Sequence, residues 1–143
     1  MAVNETDFKS ELRRDAREQS IFSVANSPEF NRGIPDLFFK KAGWDPVFVE
    51  LKWSPSKPKA ALCGLTALQA NWIRDYRAVG GYAMMLIGWK SGPVRWSAGL
   101  HFGTDPDEAV DIVWTTHKDR GKQWDIASIL DRIISIQAGR RLL

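Results

Sequence analysis

The sequence predicts an α/β protein in which a mixed β-sheet is flanked by helices, and three observations carry that expectation. Two β-type apolar runs, Asp36-Leu-Phe-Phe and Val47-Phe-Val-Glu-Leu-Lys, stand at hairpin spacing around a KKAGWDP turn. Two amphipathic helical patterns, one beginning near Asn4 and one at Thr66, bracket them. A continuously apolar run, YAMMLIG over 82–88, follows the second helix directly, as a central strand covered on both faces would.

In chain order, Asn4 can cap the first helix with Asp7 reaching back, and Phe8, Leu12 and Ala16 fall along one face. SIFSVAN, residues 20–26, reads as a strand entering the polar loop SPEFNRG, and the two runs of the hairpin follow and should pair antiparallel. WSPSKPKAALCG, residues 53–64, has no period and reads as a long surface loop, a length that is often functional. Leu68, Trp72, Ile73, Tyr76 and Val79 mark the expected buried face of the second helix, which Gly80-Gly81 ends. After the apolar strand and a Lys-Ser-Gly-Pro turn, Val94, Trp96, Ala98, Leu100 and Phe102 alternate, which predicts a half-exposed strand. The last third reads as helical, capped by Thr104 or Asp105 with Pro106 in the first turn. Trp124, Ala127, Leu130, Ile133 and Ile134 give it an apolar face. The order is α, β, β, β, α, β, β, α.

The 143 residues fit a single domain, 1–143, with a core over about 5–103 and a helical extension over about 104–143. No apolar run approaches the roughly 18 residues of a membrane span. MAVNETDFKS has neither the basic nor the apolar segment of a secretory signal, so the cytoplasm is the expected location. The single Cys63 can form no internal disulfide and no thiolate ligand set, which argues against zinc. A net charge of +3 favours a polyanionic partner only mildly.

On an extended strand alternate side chains share a face, so Glu50 and Lys52 point the same way. If 36–39 is the adjacent strand, a separation of about 4.8 Å lets Asp36 and Glu50 reach one cation. Two hard carboxylates suit Mg²⁺ or Mn²⁺, and Lys52 would stand beside the attacking water.

Taken together, Gly33-Ile-Pro-Asp36, then Glu50-Leu-Lys52, then Thr66-Ala-Leu-Gln69, then Gly80-Gly81-Tyr82 and an apolar strand resemble the PD-(D/E)XK nuclease superfamily. The resemblance is to its small stand-alone virus-type, VRR-NUC-like and Holliday junction resolvase-like members, and it covers residues 5 to about 88. It implies a restriction-endonuclease-like fold, an αβββαβ core with a C-terminal helical extension. It also implies a Mg²⁺-dependent DNA endonuclease, with Mn²⁺ substituting. In that family pattern Asp36 and Glu50 bind metal, Lys52 is the catalytic lysine, and Gln69 stands at the active-site end of its helix. A further metal-binding glutamate often comes from the first helix. Here Glu5 is preferred, because at about 100° per residue it lies with Phe8 and Leu12, while Glu11, the alternative, lies round to the side. The resemblance suggests branched or junction DNA as substrate, with nonspecific or sequence-specific cutting as alternatives, and paired cuts would favour a homodimer. It also suggests a virus-encoded protein working in the host cytoplasm, phage-borne if the host is bacterial. A nucleic-acid-binding module without catalysis is the competing reading.

Several residues have simpler readings. Thr66-x-x-Gln69 is also a capping box. Lys57, Lys59 and Arg74 are candidate DNA contacts, and equally solvated charges. His101 and His117 have no partners at metal or triad spacing and read as structural, and Cys63 lacks an evident base.

Overall fold

The computed structural model describes residues 1–26, 33–59 and 61–141, the side chain of Arg141 excepted. Most of the SPEFNRG loop therefore lies outside the described residues. The chain runs α1 (Glu5–Glu18), β1 (Phe22–Ala25), β2 (Leu37–Lys40), β3 (Val47–Ser54), α2 (Ala67–Ala78), β4 (Tyr82–Gly92), β5 (Arg95–His101), β6 (Ile112–Asp119) and α3 (Ile126–Arg141). Among the described residues the strands form one sheet in the order β1-β2-β3-β4-β5-β6. Every neighbouring pair is antiparallel except β3 and β4, which are parallel. A parallel pair needs a crossover, and α2 supplies it.

Alternation along β3 sorts the two faces. Val47, Val49 and Leu51 join Phe8, Leu12 and Leu130 in the larger core, beneath α1 and α3. Phe48 packs instead with Ile73, Met85 and Ile87, beneath α2. Asn4 caps α1 as expected, its side chain accepting from Asp7 N–H at 2.8 Å; Asp7 reaches back to Val3 N–H at 3.3 Å rather than to Asn4.

Three expectations need correction. The buried face of α2 is Ala70 and Ile73, while Leu68 and Val79 are exposed. Trp72 and Tyr76 are half-buried because they stack sideways on Phe48 instead of pointing into the core. The strand around 94–102 is not half-exposed: every residue from Trp96 to His101 is buried. Its small polar positions signalled solvent, but Ser97 hydrogen-bonds Ser91 and His117, and Ile112 packs so closely on Gly99 that a Cβ there would meet it at 2.7 Å.

The third correction concerns the last third, where helix was expected from 104 or 105. Asp105 and Pro106 form a turn in which Asp105 Oδ1 accepts from Asp107 N–H at 2.9 Å. Residues 112–119 then form β6, as their β-branched and aromatic content (Ile112, Val113, Trp114, Thr115, Thr116) favours. The helix starts only at Ile126, where Asp125 accepts from Ser128 N–H at 3.0 Å. Trp124, Leu130 and Ile133 are buried as predicted. No described helix is long and apolar enough to cross a membrane.

Candidate active site

The register Leu37↔Val49 between β2 and β3 carries Asp36, one residue before β2, opposite Glu50. Two local devices hold it there. Asn26 donates its side-chain amide to Pro35 O and its backbone N–H to Asp36 O, both at 2.8 Å. Gly33, at φ +89, packs so tightly that a Cβ would meet Leu68 O at 2.9 Å, which pins the Gly-Ile-Pro-Asp turn against the first turn of α2.

Glu50 is only 2% exposed, yet both its oxygens are engaged. Oε2 accepts from Asp36 N–H at 3.2 Å, and Oε1 accepts from Gln69 Nε2 at 2.9 Å. Asp36 Oδ2 in turn accepts from Leu51 N–H at 2.9 Å. Lys52 Nζ stands 4.0 Å from Glu50 Oε1 and is partly open to solvent. Gln69 makes two contacts at once. Its Oε1 accepts from Thr66 N–H at 2.9 Å in a complete capping box, which leaves Nε2 directed at Glu50. Closing its own helix start is what orients the amide.

Burial, and then the charge and hydrogen bonding of Asp36, push the Glu50 carboxyl up to about 8, against the opposing pull of Lys52. Two carboxylates thus face each other with less positive charge between them than both ionised forms require. Glu5, at the start of α1, joins this field: its carboxyl is raised by desolvation and by Asp36, with Lys52 and Lys9 opposing. It stands on the exposed side of the helix, whereas Glu11 is 5% exposed and turned to Lys118 at 2.5 Å. Glu5, expected on the buried face with Phe8 and Leu12, is thus exposed, and the buried glutamate is Glu11, which follows Phe8 by three residues and shares its face.

Among the described residues no group of three or more His, Cys, Asp or Glu side chains is arranged to hold a metal. The donors that do meet, Asp36 and Glu50, nevertheless fit a hard divalent cation. Mg²⁺ is commonly held by one or two carboxylates and otherwise keeps water, and the raised Glu50 marks a site short of positive charge.

The other candidates are spread out. Lys57 and Lys59 are exposed in the loop after β3. That loop walls a cleft of about 250 Å³ lined by Lys52, Trp53, Pro58, Leu62 and Ile87. Arg74 faces away, donating Nε to Thr104 Oγ1 at 2.9 Å and Nη2 to Thr104 O at 3.0 Å. His101 Nδ1 accepts from Asp111 N–H at 2.9 Å, and His117 Nδ1 lies 2.5 Å from Ser97 Oγ. Asn26 and the Leu51 amide were missed by sequence reasoning, and Gly33 was named only as part of its motif. A lone Asn and a backbone N–H leave no pattern to find, but the glycine before Ile-Pro-Asp was a readable signal of close approach.

No protein-family model matches this chain, and no curated protein does. Among solved structures, Hjc of Archaeoglobus fulgidus, a Holliday junction resolvase from an archaeal hyperthermophile, superposes with a TM-score of 0.51. The match covers 89% of this chain and 98% of that one at 13% sequence identity. The two chains share a fold, a mixed sheet flanked by helices with a helix at the C-terminal end. At so low an identity the likeness concerns the path of the backbone, and what the side chains do rests on the geometry above.

Proposed function

We propose that this chain, as a single domain, is a metal-dependent DNA endonuclease that hydrolyses phosphodiester bonds, selective for branched or junction DNA. The observation that carries the reading is the meeting of Asp36, Glu50, Lys52 and Gln69 at one point, with Glu50 driven up to about 8 beside Asp36. Asp36 and Glu50 would hold Mg²⁺ or Mn²⁺, with Glu5 the further carboxylate within electrostatic reach. The ion would supply Lewis-acid charge for the phosphate and its leaving oxygen.

The chain's own residues do the rest. Gln69 fixes the rotamer of Glu50, so one carboxylate oxygen is committed to the amide and the other stays on the Asp36 side. Lys52 projects from the same face two residues on, where Nζ can orient the attacking water and oppose the negative charge that builds on the phosphate oxygens. The preference for junctions rests on fold likeness to a Holliday junction resolvase. A nonspecific or sequence-specific endonuclease, or a silent binding module, would use the same surface.

The test is a cleavage panel of linear, single-stranded, flap and four-way DNA with Mg²⁺, Mn²⁺ or EDTA. Cation-dependent cutting that favours the four-way substrate is the expected result. Full activity in Asp36→Ala would overturn the site, and binding without cleavage of any substrate would establish the silent module.

A further inference from the structure

The cleft walled by the loop after β3 takes no part in the chemistry of the carboxylates, yet it opens beside them. Lys52 stands opposite Ile87 in the parallel β3–β4 register, and both line the cleft. The side chain whose Nζ lies 4.0 Å from Glu50 Oε1 therefore belongs to the cleft as well. Beyond Lys52 the walls are apolar, with Pro55, Pro58 and Leu62 on the loop and Ile87 and Val110 facing them. Ile87 is 3% exposed and Leu62 is 62% exposed, which places one at the back and the other at the mouth. Among the described lining residues Lys52 is the one that carries charge.

These walls are tied in place before anything enters. Val110 N–H donates to Ala61 O at 2.7 Å, Cys63 N–H to Glu108 O at 3.0 Å, and the Cys63 thiol to Asp105 O at 3.1 Å. At the other end of the loop Ser54 Oγ donates to Ser56 O at 2.5 Å, and the two prolines restrict the backbone between. A cleft already in shape loses little conformational freedom when it fills.

Size and charge decide what fills it. A volume of about 250 Å³ falls just under the roughly 300 Å³ at which pockets for drug-sized ligands begin, which suits a single ring system and is too small for a base pair. Lys57 and Lys59 are exposed on the same loop. An apolar slot with lysines around it is the combination that holds a single-stranded polynucleotide, cations for the phosphates and apolar faces for the bases. The Ser54 hydroxyl proton is committed to Ser56 O, so contact with the flat faces of a base outweighs reading of its edge, and base identity should matter little.

We propose that this cleft takes one unstacked base of the strand being cut, the neighbour of the phosphate held at Asp36 and Glu50. Its role in cutting rests on the nuclease reading, and it gives substrate choice a source in this chain's own side chains. Drawing a base out of intact duplex costs both stacking and pairing, and the cost is least where the base is already unpaired. A filled cleft therefore favours branch points, flaps and single strands over continuous duplex.

The test places the adenine analogue 2-aminopurine, whose fluorescence rises when it leaves the stack, at each nucleotide in turn around the branch of a four-way DNA bound to Asp36→Asn. The expected result is a rise of about threefold at the nucleotide beside the phosphate that the wild type cuts, and none at more distant nucleotides. An abasic residue at that nucleotide should weaken binding about tenfold. Leu62→Ser, at an exposed position outside the catalytic set, should weaken binding of the intact junction about fivefold and of the abasic junction not at all, because the two changes remove the same contact. Val94→Ser, exposed in the turn between β4 and β5, should alter neither, and a melting curve for each variant verifies folding. A flat fluorescence scan, a signal that Leu62→Ser leaves unchanged, or a Leu62→Ser loss that persists on the abasic junction overturns the proposal, whether or not the wild type cuts DNA. A chain that cuts no DNA yet shows the base signal and its dependence on Leu62 upholds the cleft and sinks the nuclease reading. One that neither cuts nor binds sinks both.

Discussion

Glu11 and Glu50 are both buried carboxylates with a lysine beside them, and they do opposite things. Glu11 touches Lys118 at 2.5 Å, and Lys118 also lies over the Trp124 ring. Glu50 keeps Lys52 at 4.0 Å and faces Asp36 instead. One is a closed ion pair that ties α1 to β6 across the sheet face. The other is a crowd of acids whose charge is only partly met from within the chain. Burial alone does not make a site: the difference lies in whether each charge already has its partner, and a site that must take up a cation has to leave that debt open.

The largest effects should come from emptying the acidic side of that comparison. Asp36→Asn and Lys52→Ala should each lower the cleavage rate by on the order of 10³-fold, within the range spanned by acid–base and electrostatic groups at other active sites. Melting temperatures should stay close to wild type, because Lys52 is partly exposed and the asparagine keeps an acceptor for Leu51 N–H. Rates within threefold of wild type would place the chemistry elsewhere.

The closed pair should respond in stability and not in chemistry. Lys118→Met leaves the buried Glu11 with only the longer contact to the exposed Arg14, at 4.0 Å, and with an Oε2 that has no partner among the described residues. Denaturant unfolding should then show a loss on the order of 3 kcal/mol. Glu11→Gln with Lys118→Met should recover most of it. If the single variant is as stable as wild type, the ion pair is not the closed unit described here.

How far the sequence disclosed this contrast follows from the physics of each element. Asp36, Glu50 and Lys52 were legible because strand alternation and hairpin spacing fix faces without knowledge of the rest of the chain. The register supplied what spacing could not, the placement of Asp36 directly across from Glu50. β6 was missed because Thr104, Asp105 and Pro106 form as good a helix start as a turn. The choice between them was made by tertiary pairing with β5, which no local window contains. Glu11 was misplaced for a related reason. Its burial depends on Lys118, which sits on the strand that the sequence reading had made into helix.

The open side of the comparison also predicts a pH dependence in the cation-free protein. Glu50 holds its proton up to about 8 in the folded chain, against 4.5 as its ordinary value, so between those values the folded state binds more protons than the unfolded one. Stability should therefore fall as pH rises from about 4.5 to 8, by at most about 5 kcal/mol, and level off above. Glu50→Gln should flatten the slope, because an amide does not titrate in this range, and its oxygen can still accept from Gln69. Mg²⁺ added at pH 8 should stabilise the wild type and leave Glu50→Gln nearly unmoved. A wild-type profile that rises through this range would mean that the two carboxylates do not oppose each other.

The smallest effect extends the same distinction to the basic groups. Lys57 and Lys59 are exposed near the mouth of the cleft beside Lys52, and neither has an ion-pair partner among the described residues. Arg74 has spent its donors on Thr104 and Asn71, holding α2 to the loop after β5. A phosphate contact releases condensed counterions, so replacing a lysine that makes one should lower the slope of log K against log salt by about 1. Lys57→Ala with Lys59→Ala should thus reduce the slope by between about 1 and 2, measured with catalytically silent Asp36→Asn as the background. Arg74→Ala should leave the slope unchanged and show itself in thermal stability. The reverse pattern would mean that the DNA path runs along α2 and past Thr104, on the far side of the second helix from the loop lysines.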